Sequence, residues 1–139
     1  YEGGIRVPAI AWWPGKIAPF SVCDETALSF DILLTILDIL EVPFPDKNSP
    51  NSIDGISLKS LLLENKITKS RTLFWRMSNQ KAVRSGDWKL IYTNENYGYK
   101  LYNLKYDIGE TNNLSSKYPE IVLQLKLELE KWEKNVKNK

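Results

Sequence analysis

The sequence predicts an α/β protein whose C-terminal part, taken alone, is an α+β unit: a four-stranded antiparallel sheet packed by a C-terminal helix. Residues 119–136 carry apolar side chains at spacings of three and four, the pattern of an amphipathic helix. The first 65 residues combine a strand-like apolar run with an apolar helix, which is typical of the end of a larger α/β domain. Four strand-like stretches with short connections predict the sheet, at residues 72–76, 80–84, 88–92 and 99–103.

The central hairpin of this sheet is predicted at residues 81–92, with a tight turn at Ser85, Gly86 and Asp87. Alternation in its second strand places Trp88 and Leu90 on one face and Lys89 on the other. The buried face of such a strand needs a cover, and the final helix, which Pro119 is suited to begin, supplies one.

In the first half of the chain, residues 9–13 predict a strand buried on both faces, and residues 25–28 a possible short strand. A largely buried helix is predicted up to about residue 42, capped by Ser29 or Asp31. We therefore predict two domains. The first, residues 1–65, lacks the neighbouring strands that its apolar run needs, and the second, residues 66–139, is the sheet-and-helix subdomain.

Composition excludes several classes of function. The net charge of the 139 residues is only +2, so nucleic acid is not an expected partner. The chain has one cysteine, Cys23, and no histidine, which excludes an internal disulfide and a Ser-His or Cys-His catalytic pair within it. A zinc site is equally unexpected. No apolar run has the length of a membrane span.

Several short motifs together resemble the type I, formylglycine-dependent sulfatases, the arylsulfatase-like enzymes of the alkaline phosphatase superfamily. They occur in family order and extend over nearly the whole chain. The motifs are YEGGIRVP at residues 1–8, WPGKI at 13–17, DILLTILD at 31–38, DGISL at 54–58, LFWR at 73–76, AVRSGDWKLI at 82–91, LYNL at 101–104, DIGETNNL at 107–114, and Pro119-Glu120 with Trp132.

The resemblance implies a C-terminal part of a sulfatase, an enzyme that hydrolyses sulfate esters with formylglycine and calcium. It further implies that residues 1–65 are the incomplete end of the α/β catalytic domain and that residues 66–139 are its C-terminal subdomain. Neither the nucleophile motif nor the metal ligands match this chain, and Cys23 lies outside any such motif. We therefore expect no catalytic or metal-binding residue here, and an inactive chain in isolation. The implied partners are the missing N-terminal sulfatase domain and a sulfated substrate, and family resemblance implies export to the periplasm, the extracellular space or the lysosome.

Two alternatives stay open at the level of sequence. The chain could act as a free-standing truncated module in structural or interaction roles, which would need a partner for its apolar helix. It could also belong to a phosphodiesterase or phosphonate hydrolase of the same superfamily, because substrate choice depends mostly on the missing part.

Candidate site residues fall into two groups. A polar loop between two strands could contact the substrate through hydrogen bonds; its members are Arg76, Ser78, Asn79 and Gln80. Glu2 and Arg6 are predicted to support the sulfate site indirectly, as a buried ion pair that braces the adjoining loop.

Two further interactions are predicted at turns. Arg84 is expected to pair with Asp87 across the hairpin turn. The oxygen-rich segment from Asp107 to Asn112 is read as a turn rather than a calcium loop, because its spacing does not match an EF-hand.

Overall fold

A computed structural model describes residues 1–46, 53–67, 70–94 and 98–137, with the side chain of the last residue excepted. The chain divides into two compact units. One consists of Tyr1–Pro8 together with Ser70–Lys139, and the other is Ala9–Lys69. We call these the C-terminal unit and the middle unit. The predicted domain division at residues 65 and 66 stays a prediction. In the structure Tyr1–Pro8 packs with the C-terminal residues.

The C-terminal unit is built on the predicted antiparallel meander. Its strands are β1 (Thr72–Met77), β2 (Gln80–Ser85), β3 (Trp88–Tyr92) and β4 (Tyr99–Asn103), in that order across the sheet. Each strand pairs antiparallel with the next, which confirms the predicted sheet. Gly86 adopts φ +57° in the two-residue turn between β2 and β3, a backbone conformation that glycine reaches at low cost.

One face of the sheet is covered by helix α4 (Pro119–Lys137), as the apolar stripe predicts. Leu125 and Leu129 of this helix are buried against Val83, Leu90 and Leu101 of the sheet. Leucine side chains at spacing four lie on one face of a helix, so α4 supplies most of the cover, and Leu114 and Tyr118 before it add to the cover. Neither α4 nor any other helix in the described part of the chain has the length and hydropathy to cross a membrane.

The opposite face of the sheet carries a second, smaller apolar cluster. Ala82, Ile91, Tyr102 and Leu104 form it, and Trp75 packs against it. Lys89 shares this face because it lies two residues from Ile91 in β3. A short helix, α1 (Glu2–Ile5), contacts this face through Glu2, whose carboxylate pairs with Lys89.

The middle unit contains helices α2 (Asp31–Ile39) and α3 (Lys59–Glu64), joined by buried polar contacts. The Asp31 carboxylate accepts hydrogen bonds from the backbone N–H groups of Leu28 (2.7 Å) and Ile56 (3.0 Å). The Thr35 hydroxyl accepts from the N–H of Leu58 at 2.9 Å. These bonds satisfy backbone donors that burial removes from water.

The predicted helix is present, but its predicted ends are wrong. It ends at Ile39 rather than near residue 42, and its N-cap is Phe30 without a side-chain cap bond. Asp31 does not serve as a cap, because its carboxylate accepts from Leu28, which precedes the helix, and from the distant Ile56, which precedes α3. The prediction of a largely buried helix is also wrong, since Leu33 and Ile36 are about half exposed.

The strands predicted at residues 9–13 and 25–28 are absent from the structure. A strand buried on both faces requires neighbouring strands, and the four strands found in the described residues pair with one another in the C-terminal unit. Ile10 and Trp12 are consequently exposed, at 95% and 83%. By contrast, Trp75, Trp88 and Trp132 pack against the two apolar clusters of the sheet.

Candidate functional site

A buried lysine between two carboxylates is the most unusual feature of the C-terminal unit. The side chain of Lys89 has no exposed surface, and its Nζ lies 2.7 Å from Oε1 of Glu2 and 2.9 Å from Oε1 of Glu110. The second contact is an ion pair without hydrogen-bond geometry. We call these three residues the Lys89 cluster. A charge at this depth persists because opposite charges compensate its desolvation.

Glu2 makes further contacts that fix the start of the chain. Its backbone N–H donates to Oε2 of Glu110 at 2.5 Å, and its Oε2 lies 3.9 Å from Nη1 of Arg84. The predicted Glu2–Arg6 ion pair is therefore wrong: Glu2 pairs with Lys89 and Arg84, whereas Arg6 is exposed. The predicted pair of Arg84 with Asp87 is also wrong, because Arg84 Nε donates to the Gly86 carbonyl instead (3.1 Å).

The loop that presents Glu110 is organised by Asp107. The Asp107 carboxylate accepts hydrogen bonds from the backbone N–H groups of Asn112 (2.8 Å) and Thr111 (2.9 Å). These bonds, that of Asn112 first, hold the pKa of Asp107 below its ordinary value. The turn expected at this segment is confirmed. Glu110 itself adopts φ +55°, a strained conformation that directs its carboxylate to Lys89.

An open groove lies beside the Lys89 cluster. Burial, followed by the neighbouring Tyr1, raises the pKa of Tyr102 to about 12, so its phenol stays neutral and able to form hydrogen bonds at ordinary pH. Arg6 and Lys100 contribute cationic groups, while Lys89 balances the two buried carboxylates. The residues that line the groove are Tyr1, Glu2, Gly3, Arg6, Lys100, Tyr102, Ile108, Gly109, Glu110 and Thr111.

The four residues predicted to contact substrate lie elsewhere in the C-terminal unit. Arg76 is the second-to-last residue of β1, Gln80 begins β2, and Ser78 and Asn79 form the turn between the strands. All four are exposed, and Ser78 adopts φ +54° at the turn. The groove brings Glu2 and Arg6 together, but the 76–80 hairpin is not part of its lining.

Sequence reasoning missed Lys89 and Glu110 as partners of Glu2. One available signal was the position of Lys89 on a strand face that otherwise carries apolar residues, where a lysine requires a buried counter-charge. The identity of those partners was not available, because 87 and 108 residues separate the members of the two contacts made by Glu2.

The described residues do not fit a divalent cation. Across the ranges given above, no group of three or more His, Cys, Asp or Glu side chains could hold a metal ion. The close carboxylate pair, Glu2 and Glu110, already has the Lys89 ammonium as its counter-ion. Hard cations such as calcium require six or more oxygen ligands, which this pair does not supply.

Comparison with known proteins gives a consistent result. Residues 1–135 match the family model described as N-sulphoglucosamine sulphohydrolase, C-terminal. An uncharacterized sulfatase of Schizosaccharomyces pombe is 35% identical over 143 residues, covering 94% of this chain and 25% of that protein. Arylsulfatase A of Homo sapiens is 31% identical over 157 residues, and the match covers 91% of this chain and 30% of that protein.

A solved structure of a 2-O GAG sulfatase superposes on the chain with a TM-score of 0.58 at 25% identity. The match covers 77% of this chain and 24% of that one. The chain thus spans between a quarter and a third of the length of the sulfatases described here. On the match over residues 1–135, the chain belongs to the family of N-sulphoglucosamine sulphohydrolase C-terminal domains and is the C-terminal part of a sulfatase.

Proposed function

We propose that the whole protein hydrolyses sulfate esters and that this chain supplies its C-terminal scaffold and part of the substrate rim. The observation that carries the proposal is the family match over residues 1–135, nearly the full chain. Sulfatases at 31–35% identity support it. In this proposal the chain alone is inactive, because stabilisation of the developing charge depends on groups that it does not carry.

We assign formylglycine and calcium to the polypeptide outside this chain. Cys23 is exposed, and its neighbours Asp24 and Glu25 do not match the nucleophile motif of the formylglycine-dependent sulfatases. No described group of side chains offers the oxygen ligands of a calcium ion. This assignment concerns the location of the two groups and adds no chemical step to this chain.

The proposed substrate rim is the exposed 76–80 hairpin. Arg76 offers a guanidinium that can bind a sulfate or carboxylate oxygen with two hydrogen bonds, and Asn79 and Gln80 offer amide donors. Exposure at a strand-to-strand turn leaves these groups accessible to a ligand. Glu2 and Arg6 are proposed to act indirectly, as support for the segment at the start of the chain.

The remaining sulfatase polypeptide is the proposed partner of the middle unit. This unit exposes many large apolar side chains, among them Ile10, Trp12, Phe20, Val22 and Leu40. Soluble domains rarely leave so much apolar surface uncovered, which favours a covering partner. By resemblance to its family the protein is exported, to a compartment where its sulfated substrate is present.

The direct test compares the whole protein with the isolated chain on an aryl sulfate. We expect sulfate release by the whole protein and none by the chain above a no-protein control. Release by the isolated chain would refute the location of the catalytic groups. Preference of the whole protein for a phosphate diester would refute the reaction class.

The rim has its own test in the whole protein. Arg76→Ala should lower kcat/KM about tenfold, the typical loss of a charge-assisted hydrogen bond, with Lys134→Ala on the exposed side of α4 as the control. Equal activity of the two variants would remove Arg76 from the substrate contacts.

A further inference from the structure

We propose that Lys89 is a positioning residue, which holds the segment Tyr1–Pro8 on the C-terminal sheet and thereby sets the geometry of the polypeptide joined to that segment. The inference rests on the proposed function, because it assigns the effect of this contact to sulfate-ester hydrolysis. The proposal gives the C-terminal unit a role beyond scaffold and substrate rim. In this role the sheet sets the position of residues that lie outside the unit.

The segment Tyr1–Pro8 has little intrinsic structure of its own. Helix α1 spans only Glu2–Ile5, contains Gly3 and Gly4, and has no side-chain cap bond. A single turn with two glycines is unstable in isolation, because nucleation is costly and glycine disfavours helix. Its position must therefore come from contacts with the rest of the unit.

Those contacts converge on Glu2. Its carboxylate lies 2.7 Å from Nζ of Lys89, and its backbone N–H donates to Glu110 at 2.5 Å. Glu2 is 4% exposed and Lys89 is not exposed at all. Lys89 therefore neutralises one carboxylate from the segment and one from the 107–111 loop, and joins both to the middle of β3.

The position of the segment in the polypeptide gives this contact its consequence. The matching family model is described as C-terminal and the match covers 25% of the Schizosaccharomyces pombe sulfatase, so most of that relative lies outside the part that resembles this chain. Because buried charges hold Tyr1–Pro8 on the sheet, they also set the position and direction of any polypeptide that is joined to this segment. Misplacement by about 1 Å of groups outside the reacting centre can lower a rate by about a hundredfold.

A matched control exists in the same unit. Lys81 of β2 pairs with Glu133 of α4 at 2.8 Å, and this pair touches neither Tyr1–Pro8 nor the Lys89 cluster. Glu2→Gln and Glu133→Gln thus remove the same charge from ion pairs of nearly equal length on the same sheet. Only the first change acts on the segment.

The test uses the whole protein and two measurements. Hydrogen exchange reports protection of Tyr1–Pro8, and steady-state kinetics on an aryl sulfate, at a temperature where each variant is folded, separate kcat from KM. We expect Glu2→Gln to lose protection in this segment and to lower kcat about tenfold to a hundredfold, with KM changed by less than about threefold. Glu133→Gln should retain both the protection and kcat.

Lys89→Met provides a second variant with the same expected signature, and Glu2→Gln remains informative if that variant does not fold. Retained protection of Tyr1–Pro8 in Glu2→Gln would overturn the proposal. An equal loss of kcat in Glu133→Gln would also overturn it, because it would indicate a general effect of stability. If the wild-type protein released no sulfate, the proposed function would fail, while the exchange measurement would still decide whether Lys89 holds the segment.

Discussion

The ammonium group of Lys89 lies in the interior of the C-terminal unit, where its charge is compensated by Glu2 and Glu110. Desolvating three charged groups costs several kcal/mol for each, and their mutual attraction offsets this only while all three remain charged. The arrangement is therefore more sensitive to removal of one member than a surface ion pair is. The Lys81–Glu133 pair, which is partly exposed, offers the comparison.

Lys89→Met should lower the free energy of unfolding by about 3–5 kcal/mol, because two buried carboxylates lose their counter-ion. Lys81→Met should cost about 1 kcal/mol or less, as is usual for a partly solvated pair. Urea denaturation of the two variants beside the wild type measures both values. Equal losses would contradict the special role of burial in the Lys89 cluster.

Tyr102 makes the stability of the C-terminal unit depend on pH in the alkaline range. Burial, followed by the neighbouring Tyr1, raises its folded-state pKa to about 12 from the ordinary value of 10.0. The folded state then binds more protons than the unfolded state between these values, so this contribution is fully present below pH 10 and is lost towards pH 12. Tyr102→Phe should weaken the fall in stability over this window, which urea denaturation at several pH values measures. An unchanged pH profile would contradict the assignment to Tyr102.

At the scale of elements, α4 and the sheet show how one helix face accounts for most of a core. Leu125 and Leu129 are 2% and 1% exposed, whereas Leu123 and Leu127 on the same helix are 59% and 57% exposed. The amphipathic spacing predicts this division directly. Phe74 and Trp132 stack with ring centroids 5.2 Å apart, which adds an aromatic contact between β1 and the last turns of the helix.

Leu129→Ala should destabilise the chain by about 2–5 kcal/mol, through lost burial and the cavity that remains. Leu127→Ala, at an exposed position of the same helix, should change stability by less than about 0.5 kcal/mol. Thermal and urea denaturation of this pair test whether α4 packs on the sheet as described. A large loss of unfolding free energy for Leu127→Ala would contradict the packing described here, because it would indicate that the other face of α4 contacts the core.

The elements of the C-terminal unit were predictable because their signals are local. Alternation specifies the strands, short connections specify antiparallel neighbours, and the leucine spacing specifies the helix face. The strand expected at residues 9–13 failed for the opposite reason. An apolar run becomes a strand only where hydrogen-bonding neighbours exist, and the four strands that the structure describes pair with one another in the C-terminal unit.

At the scale of the whole molecule, the chain consists of two compact units with different surfaces. The C-terminal unit buries its apolar residues in two clusters on the faces of its sheet. The middle unit buries polar groups such as Asp31 and Thr35 while leaving large apolar side chains exposed. Such a surface is typical of part of a larger domain, in agreement with a chain that spans about a quarter of its fission-yeast relative.

The isolated chain should therefore increase the fluorescence of a hydrophobic dye strongly, and the whole protein should do so weakly at the same molar concentration. The cause is the apolar surface of the middle unit, which we propose the remaining polypeptide covers. Light scattering on the same samples checks for self-association. Monomeric behaviour of the isolated chain without dye binding would contradict an uncovered apolar face.

The sequence by itself determined the sheet, its strand order, the final helix with its buried face, and the membership of the sulfatase family. These depend on periodicity and on short motifs, which can be read along the chain. Only the tertiary structure decided that Glu2 pairs with Lys89 and Arg84, that Glu110 lies beside the same ammonium, and that Arg6 faces solvent. The choice of partner for a buried charge depends on which distant segments meet, and neither residue type nor local spacing carries that information.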